Sequence, residues 1–378
     1  MHRVSFFISG SVKSKINLLI TTLCFFFTCS AVFATSWDIT KYKYQTSFSI
    51  VGNFNEVDIP EYLLQSVFFS SDGTKMYILG DSSDRVYQYS LSTAWDISTA
   101  SYDKNFYVGS RDTSPRGLFF SPDGTKMYIL GDYRDRVYQY SLSTAWDIST
   151  ASYDKNFYVG SQDTSPRGLF FSPDGTKMYI LGDSSDRVYQ YSLSTAWDIS
   201  TASYDKNFYV GSQDTYPRGL FFSPDGTKMY ILGDYSDRVY QYSLSTAWDI
   251  STASYDKNFY VGSQDTSPSG LFFSSDGNKM YISGAYGGFY QYVLSTEWNI
   301  STAVYQTLFS PSFPKYGDSN KTGLFFSPDG TKMYVLGNVR YAVYQYFLYV
   351  AWEITTAYFG VHFPAIIDNY LYDIYFNQ

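Results

Sequence analysis

The sequence is poor in the residues on which most catalytic and metal sites depend. Its 378 residues include two cysteines, Cys24 and Cys29, and two histidines, His2 and His362. From residue 35 onward there is therefore no thiol, no disulfide and only one imidazole, which argues against cysteine chemistry, histidine-based triads and clustered histidine metal sites. Phosphate-cradling Gly-x-x-x-x-Gly-Lys loops and dinucleotide-binding fingerprints are also missing. We expect no cofactor and no resident metal.

Positive charge is also scarce. The chain has 27 lysines and arginines against 35 aspartates and glutamates, a net charge of −8, and no basic run. Proteins that bind nucleic acid without sequence preference need a surface rich in Lys and Arg. We therefore expect no nucleic-acid partner, and interpret the negative charge as a contribution to solubility.

The first 34 residues have the organisation of a secretory signal peptide. Arg3, Lys13 and Lys15 precede an apolar run over 16–34, which ends in small residues at Ala31 and Ala34. This pattern predicts cleavage after Ala34 and a secreted, periplasmic or extracellular protein. The alternative is an uncleaved membrane anchor, since a run of this length can just cross a bilayer. Residues 35–378 contain no other apolar stretch of that length.

The remainder of the chain is dominated by a repeat. Residues 117–167 and 168–218 differ at only three of 51 positions. Seven tryptophans, at positions 37, 95, 146, 197, 248, 298 and 352, recur with spacings of 58, 51, 51, 51, 50 and 54 residues. A fixed period in this range indicates units that bury their faces against their neighbours.

One repeat reads as four short strands. In 117–167 the strands are predicted at 117–120, 126–130, 136–142 and 156–159, and Asp123-Gly124 marks a tight hairpin between the first two. The strands are apolar or aromatic on both faces, as expected for a sheet packed between two others. Four strands in about 50 residues are typical of one blade of a β-propeller. We therefore predict an all-β fold, with 35–378 forming a single propeller domain.

The hairpin segment carries a family resemblance. The pattern Phe-x-Ser-Pro-Asp-Gly-x-x-x-Tyr occurs at 119–128, 170–179, 221–230 and 325–334, and with serine in place of proline at 68–77 and 272–281. It resembles the strand–turn–strand signature of YVTN-type and lactonase-like propellers, which are distant relatives of WD-repeat proteins. The resemblance extends over nearly all of 37–378 and implies the propeller fold, but such rings host unrelated functions.

The two ends of the chain bear on the number of blades. The hairpin occurs six times and tryptophan seven times, because 46–52 aligns with a fourth strand and 373–378 with a first strand. These alignments favour six complete repeats and a split, incomplete seventh blade shared between the ends of the chain. The alternative is a closed six-bladed ring with extra terminal strands. An incomplete blade would expose strand edges, through which the protein could self-associate.

The differences between repeats fall in two connections that emerge on one face of a propeller. Between the second and third strands the chain carries Tyr133, Arg134, Tyr235 and Tyr286, where other copies have serine or glycine. Before the first strand, Tyr216 replaces serine, and Arg111 stands where later copies have glutamine. Tyrosine and arginine suit recognition, which makes this face a candidate binding surface.

Three arginines open the strand that lines the central channel: Arg116, Arg167 and Arg218. They form either an anion-attracting crescent at the channel mouth or partners for nearby aspartates. Those aspartates recur in pairs, such as Asp132 and Asp135, and are either turn-forming residues or a carboxylate ring for a cation such as Ca²⁺. The tryptophans are either sugar-stacking platforms or plugs between adjacent blades.

These patterns favour a secreted, non-catalytic module that binds a protein or a glycan through the loop-bearing face. Nearly identical units present nearly identical sites, which suits multivalent contact and lacks the asymmetry of an active site. The first alternative is a lactonase-like hydrolase that uses acidic residues at the central channel. The second is a truncated or recently duplicated repeat protein that retains no activity.

Overall fold

The computed structural model describes residues 64–284, 288–309, 321–337, 342–354 and 357–364. The predicted signal peptide (1–34) and both terminal strands (46–52 and 373–378) lie outside these residues. The described chain forms six antiparallel sheets, each built from four consecutive strands. The architecture is a six-bladed β-propeller, as the repeat predicts.

The strands follow in chain order, four to a blade. Blade 1 contains β1 (Leu64–Phe69), β2 (Lys75–Gly80), β3 (Arg85–Leu91) and β4 (Ala100–Tyr107). Blade 2 contains β5 (Pro115–Phe120), β6 (Lys126–Gly131), β7 (Arg136–Leu142) and β8 (Ala151–Tyr158). Blade 3 contains β9 (Pro166–Phe171), β10 (Lys177–Gly182), β11 (Arg187–Leu193) and β12 (Ala202–Tyr209).

Blade 4 contains β13 (Pro217–Phe222), β14 (Lys228–Gly233), β15 (Arg238–Leu244) and β16 (Ala253–Tyr260). Blade 5 contains β17 (Pro268–Phe273), β18 (Lys279–Gly284), β19 (Phe289–Leu294) and β20 (Ala303–Phe309). Blade 6 contains β21 (Lys321–Phe326), β22 (Lys332–Gly337), β23 (Ala342–Leu348) and β24 (Ala357–Pro364). Single turns of 3₁₀ helix precede the fourth strands of blades 1 to 5, at Ile97–Thr99, Ile148–Thr150, Ile199–Thr201, Ile250–Thr252 and Ile300–Thr302.

The fourth strand is longer than the sequence predicts. In blade 2 it begins at Ala151, five residues before the predicted start at Asn156. A β-bulge at Asp154 of this strand, opposite Gln139 and Tyr140 of the neighbouring strand, shifts the register, so that Gln139 pairs with Lys155 and Tyr140 with Tyr153. Because residues 151–155 are mostly polar, a prediction based on apolar runs misses this part of the strand.

The core lies between the blades. The second strand of blade 2 is buried from Met127 to Gly131, because blades 1 and 3 cover its two faces. One apolar layer joins Tyr77 and Leu79 of blade 1 to Phe120 and Met127 of blade 2, and the other interfaces repeat it. The strands therefore need apolar side chains on both faces, as predicted.

The tryptophans close the hairpin ends of these layers. Trp197 of blade 3 stacks on Phe119 of blade 2, with ring centroids 6.3 Å apart and an angle of 16° between the planes. Its backbone carbonyl accepts a hydrogen bond of 2.6 Å from the buried Tyr128 hydroxyl of blade 2. The described tryptophans are thus plugs between adjacent blades.

The ring closes with six blades. Between blades 2 and 3, Gln139 Oε1 accepts a hydrogen bond of 3.0 Å from the amide of Ile199. Between blades 6 and 1, Gln345 Oε1 accepts the equivalent bond of 2.7 Å from Ile97. The Tyr334 hydroxyl also donates to the carbonyl oxygen of Trp95, across 239 positions of the chain. A seventh blade would separate these partners, so the favoured arrangement with a split seventh blade is wrong, and the structure has the alternative, the closed six-bladed ring.

Candidate functional site

The loop-bearing face is formed by the connections between second and third strands and by those that lead from one blade to the next. A buried aspartate ties the two kinds of connection together. Asp163, only 3% exposed, accepts hydrogen bonds from the amides of Ser165 (2.7 Å) and Ser185 (2.9 Å), one in each connection. Asp112, Asp214 and Asp265 are buried at the same position of the neighbouring blades. In blade 3 the buried aspartate therefore fixes the two connections to each other through their backbone amides.

The three channel arginines all pair with aspartates. Arg167 donates from Nε (3.1 Å) and Nη2 (2.9 Å) to Oδ2 of Asp183. The Nε atoms of Arg116 and Arg218 lie 3.2 Å from Oδ2 of Asp132 and Asp234, respectively. In the structure these arginines are therefore partners of nearby aspartates, which is one of the two roles that the sequence left open.

Blades 1 and 5 depart from this arrangement. In blade 1, Gln65 Nε2 donates to Asp81 Oδ2 at 3.2 Å. In blade 5, the hydroxyls of Ser269 and Ser283 lie 3.2 Å apart. The polar lining of the channel mouth is therefore charged in blades 2 to 4 and neutral in blade 5.

The second aspartate of each pair has a different environment. Burial and then the negative charge of Asp183 raise the pKa of Asp186, and the same causes act on Asp135 and Asp237 through their own neighbours. Each of these three residues adopts a positive φ, between 51° and 53°, as the tight turn requires. In the described ranges no three acidic, histidine or cysteine side chains are arranged to hold a metal ion. The positive φ of these aspartates agrees with their interpretation as turn-forming residues.

The variable tyrosines project from the loop-bearing face. Tyr133 is 69% exposed and Tyr235 is 76% exposed. Tyr216, 51% exposed, lies beside Tyr235, with 6.5 Å between ring centroids and 32° between ring planes. The structure brings together these two residues from different connections of blade 4. Tyr286 lies outside the described residues.

A repeated arginine–tyrosine pair at the outer edge of this face was not found by sequence reasoning. The guanidinium of Arg136 lies 5.0 Å from the ring centroid of Tyr158, and its Nη1 donates to Oδ1 of Asn156 at 2.5 Å. Blades 1, 3 and 4 repeat the pair with Arg85 and Tyr107, Arg187 and Tyr209, and Arg238 and Tyr260. Each tyrosine remains 44–47% exposed. The unchanged arginine that opens the third strand of blades 1 to 4 was the available signal, but its partner depends on the strand register.

Comparison with known proteins identifies the fold and goes no further. No family model and no curated protein matches the chain. A solved protein from Lactobacillus plantarum is 14% identical, with a TM-score of 0.56 over 81% of this chain and 85% of that one. A structure from Bacteroides uniformis, described as a "putative 6-phosphogluconolactonase", is 15% identical, with a TM-score of 0.54 over 78% of this chain and 82% of that one.

A third similar structure is the β-propeller domain of Myceliophteria thermophila Cps50 (Swd1). It is 10% identical, with a TM-score of 0.51 over 80% of this chain and 86% of that one. No helix in the described part of this chain is long and apolar enough to cross a membrane. At these identities the likeness is one of fold, and it confirms the resemblance to lactonase-like and WD-repeat-related propellers.

Proposed function

We propose that this protein is an exported, non-catalytic binding module that holds a glycan or a protein partner on its loop-bearing face. The observation that carries the proposal is the position of the differences between the two most similar repeats. Residues 117–167 and 168–218 differ only at Tyr133/Ser184, Arg134/Ser185 and Ser165/Tyr216. All three pairs lie in the connections of that face, while every strand and hairpin residue is the same.

The exposed pair Tyr216 and Tyr235 is the best-formed contact surface on this face. Two neighbouring rings offer a wide apolar surface with polar hydroxyls at its edge, which suits both sugars and protein side chains. Tyrosine also loses little conformational entropy on binding, because it has only two side-chain torsions. A rigid turn further lowers the cost of holding these rings in place.

The alternative is a hydrolase that works at the channel mouth, as the description of the Bacteroides uniformis structure suggests for that protein. An active site requires unlike groups in a specific mutual arrangement. At this channel mouth the same arginine–aspartate pair recurs in three successive blades, at Arg116, Arg167 and Arg218. Repetition of one closed ion pair favours the binding module over the hydrolase.

Export is the part of the proposal that depends on residues 1–34. The basic start, the apolar run and the small residues before Thr35 support cleavage in the secretory pathway. Expression in a host with a secretory pathway, followed by mass measurement of the protein recovered outside the cytoplasm, tests it directly. A mass corresponding to residues 35–378 is the expected result, and an uncleaved, membrane-bound chain would overturn it.

The binding surface is tested by giving blade 4 the side chains of blade 3. The double variant Tyr216→Ser, Tyr235→Ser matches the natural Ser165 and Ser184, so it is expected to fold normally. Partners of the full chain are first identified on a glycan array and by pull-down, and the affinity of the purified pair is then measured. We expect the double variant to bind at least about tenfold more weakly, the loss of one interface hot spot.

The matched control is Tyr349→Ser. Tyr349 is 88% exposed but follows a third strand, so it lies on the opposite face of the ring. Unchanged binding in this control with weakened binding in the double variant supports the proposal. If both variants weaken binding equally, the loop-bearing face is not the binding surface. If the full chain folds but binds no partner, the alternative of a repeat protein without activity is favoured.

A further inference from the structure

We infer that blade 2 carries a specific site for an anionic polysaccharide, centred on Arg111 and Arg134. The inference deepens the proposed function and rests on it, since it names a ligand class for one part of the loop-bearing face. Arg111 lies in the connection that leads into blade 2, and Arg134 lies in the turn between its second and third strands. Both side chains are exposed.

The backbones of the two arginine residues meet at one buried carboxylate. Asp112, 1% exposed, directly follows Arg111 in the chain and accepts a hydrogen bond of 3.0 Å from the backbone amide of Arg134. The hydroxyl of Tyr138 donates to the carbonyl oxygen of Arg111 at 2.9 Å and approaches Asp112 Oδ2 at 3.3 Å. The backbones of both arginine residues are therefore held beside the same carboxylate.

Blades 3 and 4 use the same two positions for internal hydrogen bonds. Gln162, the counterpart of Arg111, accepts a hydrogen bond of 3.4 Å from the Tyr191 hydroxyl, and Gln213 accepts one of 3.3 Å from Tyr242. Ser185, the counterpart of Arg134, donates through its hydroxyl to Asp163. Blade 2 has thus exchanged two internally bonded side chains for two outward-facing cations.

The exchange leaves a buried hydroxyl without a partner. Tyr140 is the counterpart of Tyr191 and is 2% exposed, and no described group forms a hydrogen bond with its hydroxyl. An arginine cannot accept the bond that glutamine accepts in the other blades. Leaving a buried polar group unsatisfied costs stability, on the order of 1–3 kcal/mol. Arg111 is therefore poorly explained by the stability of the fold.

The two arginines also differ from the other arginines of this face in their partners. Arg167 pairs with Asp183, and Arg136 donates to Asn156. Arg111 lies over the ring of Tyr153, 3.7 Å from its centroid, much as Arg136 lies over Tyr158. Within the described residues, however, neither the Arg111 nor the Arg134 guanidinium forms an ion pair or a hydrogen bond with another side chain. Two such guanidinium groups match the planar, bidentate geometry of carboxylate and sulfate groups.

The surroundings favour a polysaccharide over an acidic peptide. Peptides are commonly held through main-chain hydrogen bonds. Here Asp112 already accepts hydrogen bonds from the amides of Ser114, Tyr133 and Arg134, at 3.0, 3.3 and 3.0 Å. The side chain of Tyr133, 69% exposed and adjacent to Arg134, offers a ring face to a sugar. A charged sugar needs only these side chains, whereas a peptide finds no free backbone amide among the three.

The test gives blade 2 the side chains of blade 3 and gives blade 3 those of blade 2. The full chain, the variant Arg111→Gln, Arg134→Ser and the reverse variant Gln162→Arg, Ser185→Arg are titrated by calorimetry with polygalacturonate, dextran sulfate, uncharged dextran and polyglutamate. We expect the full chain to bind the anionic polysaccharides and not dextran. Polygalacturonate carries carboxylates and dextran sulfate carries sulfates, so their relative affinities show which anionic group the site prefers.

The first variant is expected to lose at least about tenfold in affinity, and the reverse variant is expected to gain a second site. Thermal unfolding verifies that both variants fold. The first variant is expected to fold because blade 3 naturally carries the same residues, Gln162 and Ser185. Unchanged affinity in the first variant, or binding of polyglutamate as tight as that of the polysaccharides, would overturn the inference. If the full chain binds none of the anionic polysaccharides while Tyr216→Ser, Tyr235→Ser weakens binding of a different partner, the proposed function stands and the blade 2 site falls.

Discussion

At the scale of single residues, the aspartates of the two turn types have opposite effects on stability. Hydrogen bonds from Ser172 and from the amide of Thr176 lower the pKa of Asp174, in the hairpin turn, and outweigh its burial. Burial and the charge of Asp183 raise the pKa of Asp186, in the loop-bearing turn. Its Oδ1 atom is buried and has no hydrogen-bond partner among the described residues. Ionised Asp174 therefore stabilises the fold, and ionised Asp186 destabilises it.

We predict that Asp186→Asn stabilises the protein at pH 7. Asparagine tolerates the positive φ of 53° at this position and removes the repulsion from Asp183. The gain is expected to shrink as the pH falls through the raised pKa of Asp186, because the wild-type carboxyl then becomes neutral as well. Urea unfolding at pH 7 and at pH 4 measures this.

The control for this prediction is Asp174→Asn, for which the sign is reversed. This variant is expected to be less stable than wild type at pH 7, and the difference is expected to shrink only at a lower pH, below the ordinary range of an aspartate. A destabilising effect of both substitutions at pH 7 would contradict the opposite roles assigned to the two turns.

At the scale of elements, the hairpin and its tryptophan form one unit. Gly124 has a φ of +71°, and its carbonyl oxygen accepts a hydrogen bond of 2.9 Å from the amide of Trp146, which itself has a φ of +64°. A Cβ atom at Gly124 would lie 2.3 Å from the indole ring of Trp146. The glycine is therefore required both by the turn and by the ring that covers it.

We predict that Gly124→Ala destabilises the protein by about 2 kcal/mol or more, since it adds a steric overlap to the cost of a left-handed alanine. Gly168→Ala is the control, because a Cβ there meets only Leu181 Cβ, at an ordinary 3.4 Å. The control is expected to change stability by less than about 1 kcal/mol. Thermal unfolding of both variants measures the two losses of stability. Equal losses would contradict the role of Trp146 as the ring that covers Gly124.

The sequence predicts the parts of a blade that follow from local chemistry. The hairpin at Asp123-Gly124 and the first three strands were predicted close to their observed places, because turn residues and apolar runs mark them. The start of the fourth strand at Ala151 and the pairing of Arg136 with Tyr158 were not predicted, because both depend on the register of a bulged strand pair. The role of Arg167 was left open for the same reason, since its pairing with Asp183 joins neighbouring strands.

At the scale of the whole molecule, the six interfaces between blades repeat the same bonds. Tyr128 donates to the carbonyl oxygen of Trp197 within the chain of repeats, and Tyr334 donates to that of Trp95 where the last blade meets the first. Each described blade is built from one continuous segment, so within residues 64–364 as described no strand is shared between blades. In this part of the chain, blades 6 and 1 are joined by side-chain packing and hydrogen bonds.

We predict that Tyr334→Phe destabilises the protein as much as Tyr128→Phe does, by about 1–2 kcal/mol each. Both hydroxyls lie on buried tyrosines, and removing either one leaves a partly buried carbonyl oxygen without its donor. The two variants differ only in their place in the ring, since one acts at the closing interface and the other between consecutive repeats. In a closed ring the two interfaces are equivalent, and chemical unfolding shows equal losses. In an arc that opens in solution the bond at Tyr334 is not formed, so its removal leaves the unfolding midpoint unchanged while Tyr128→Phe still lowers it.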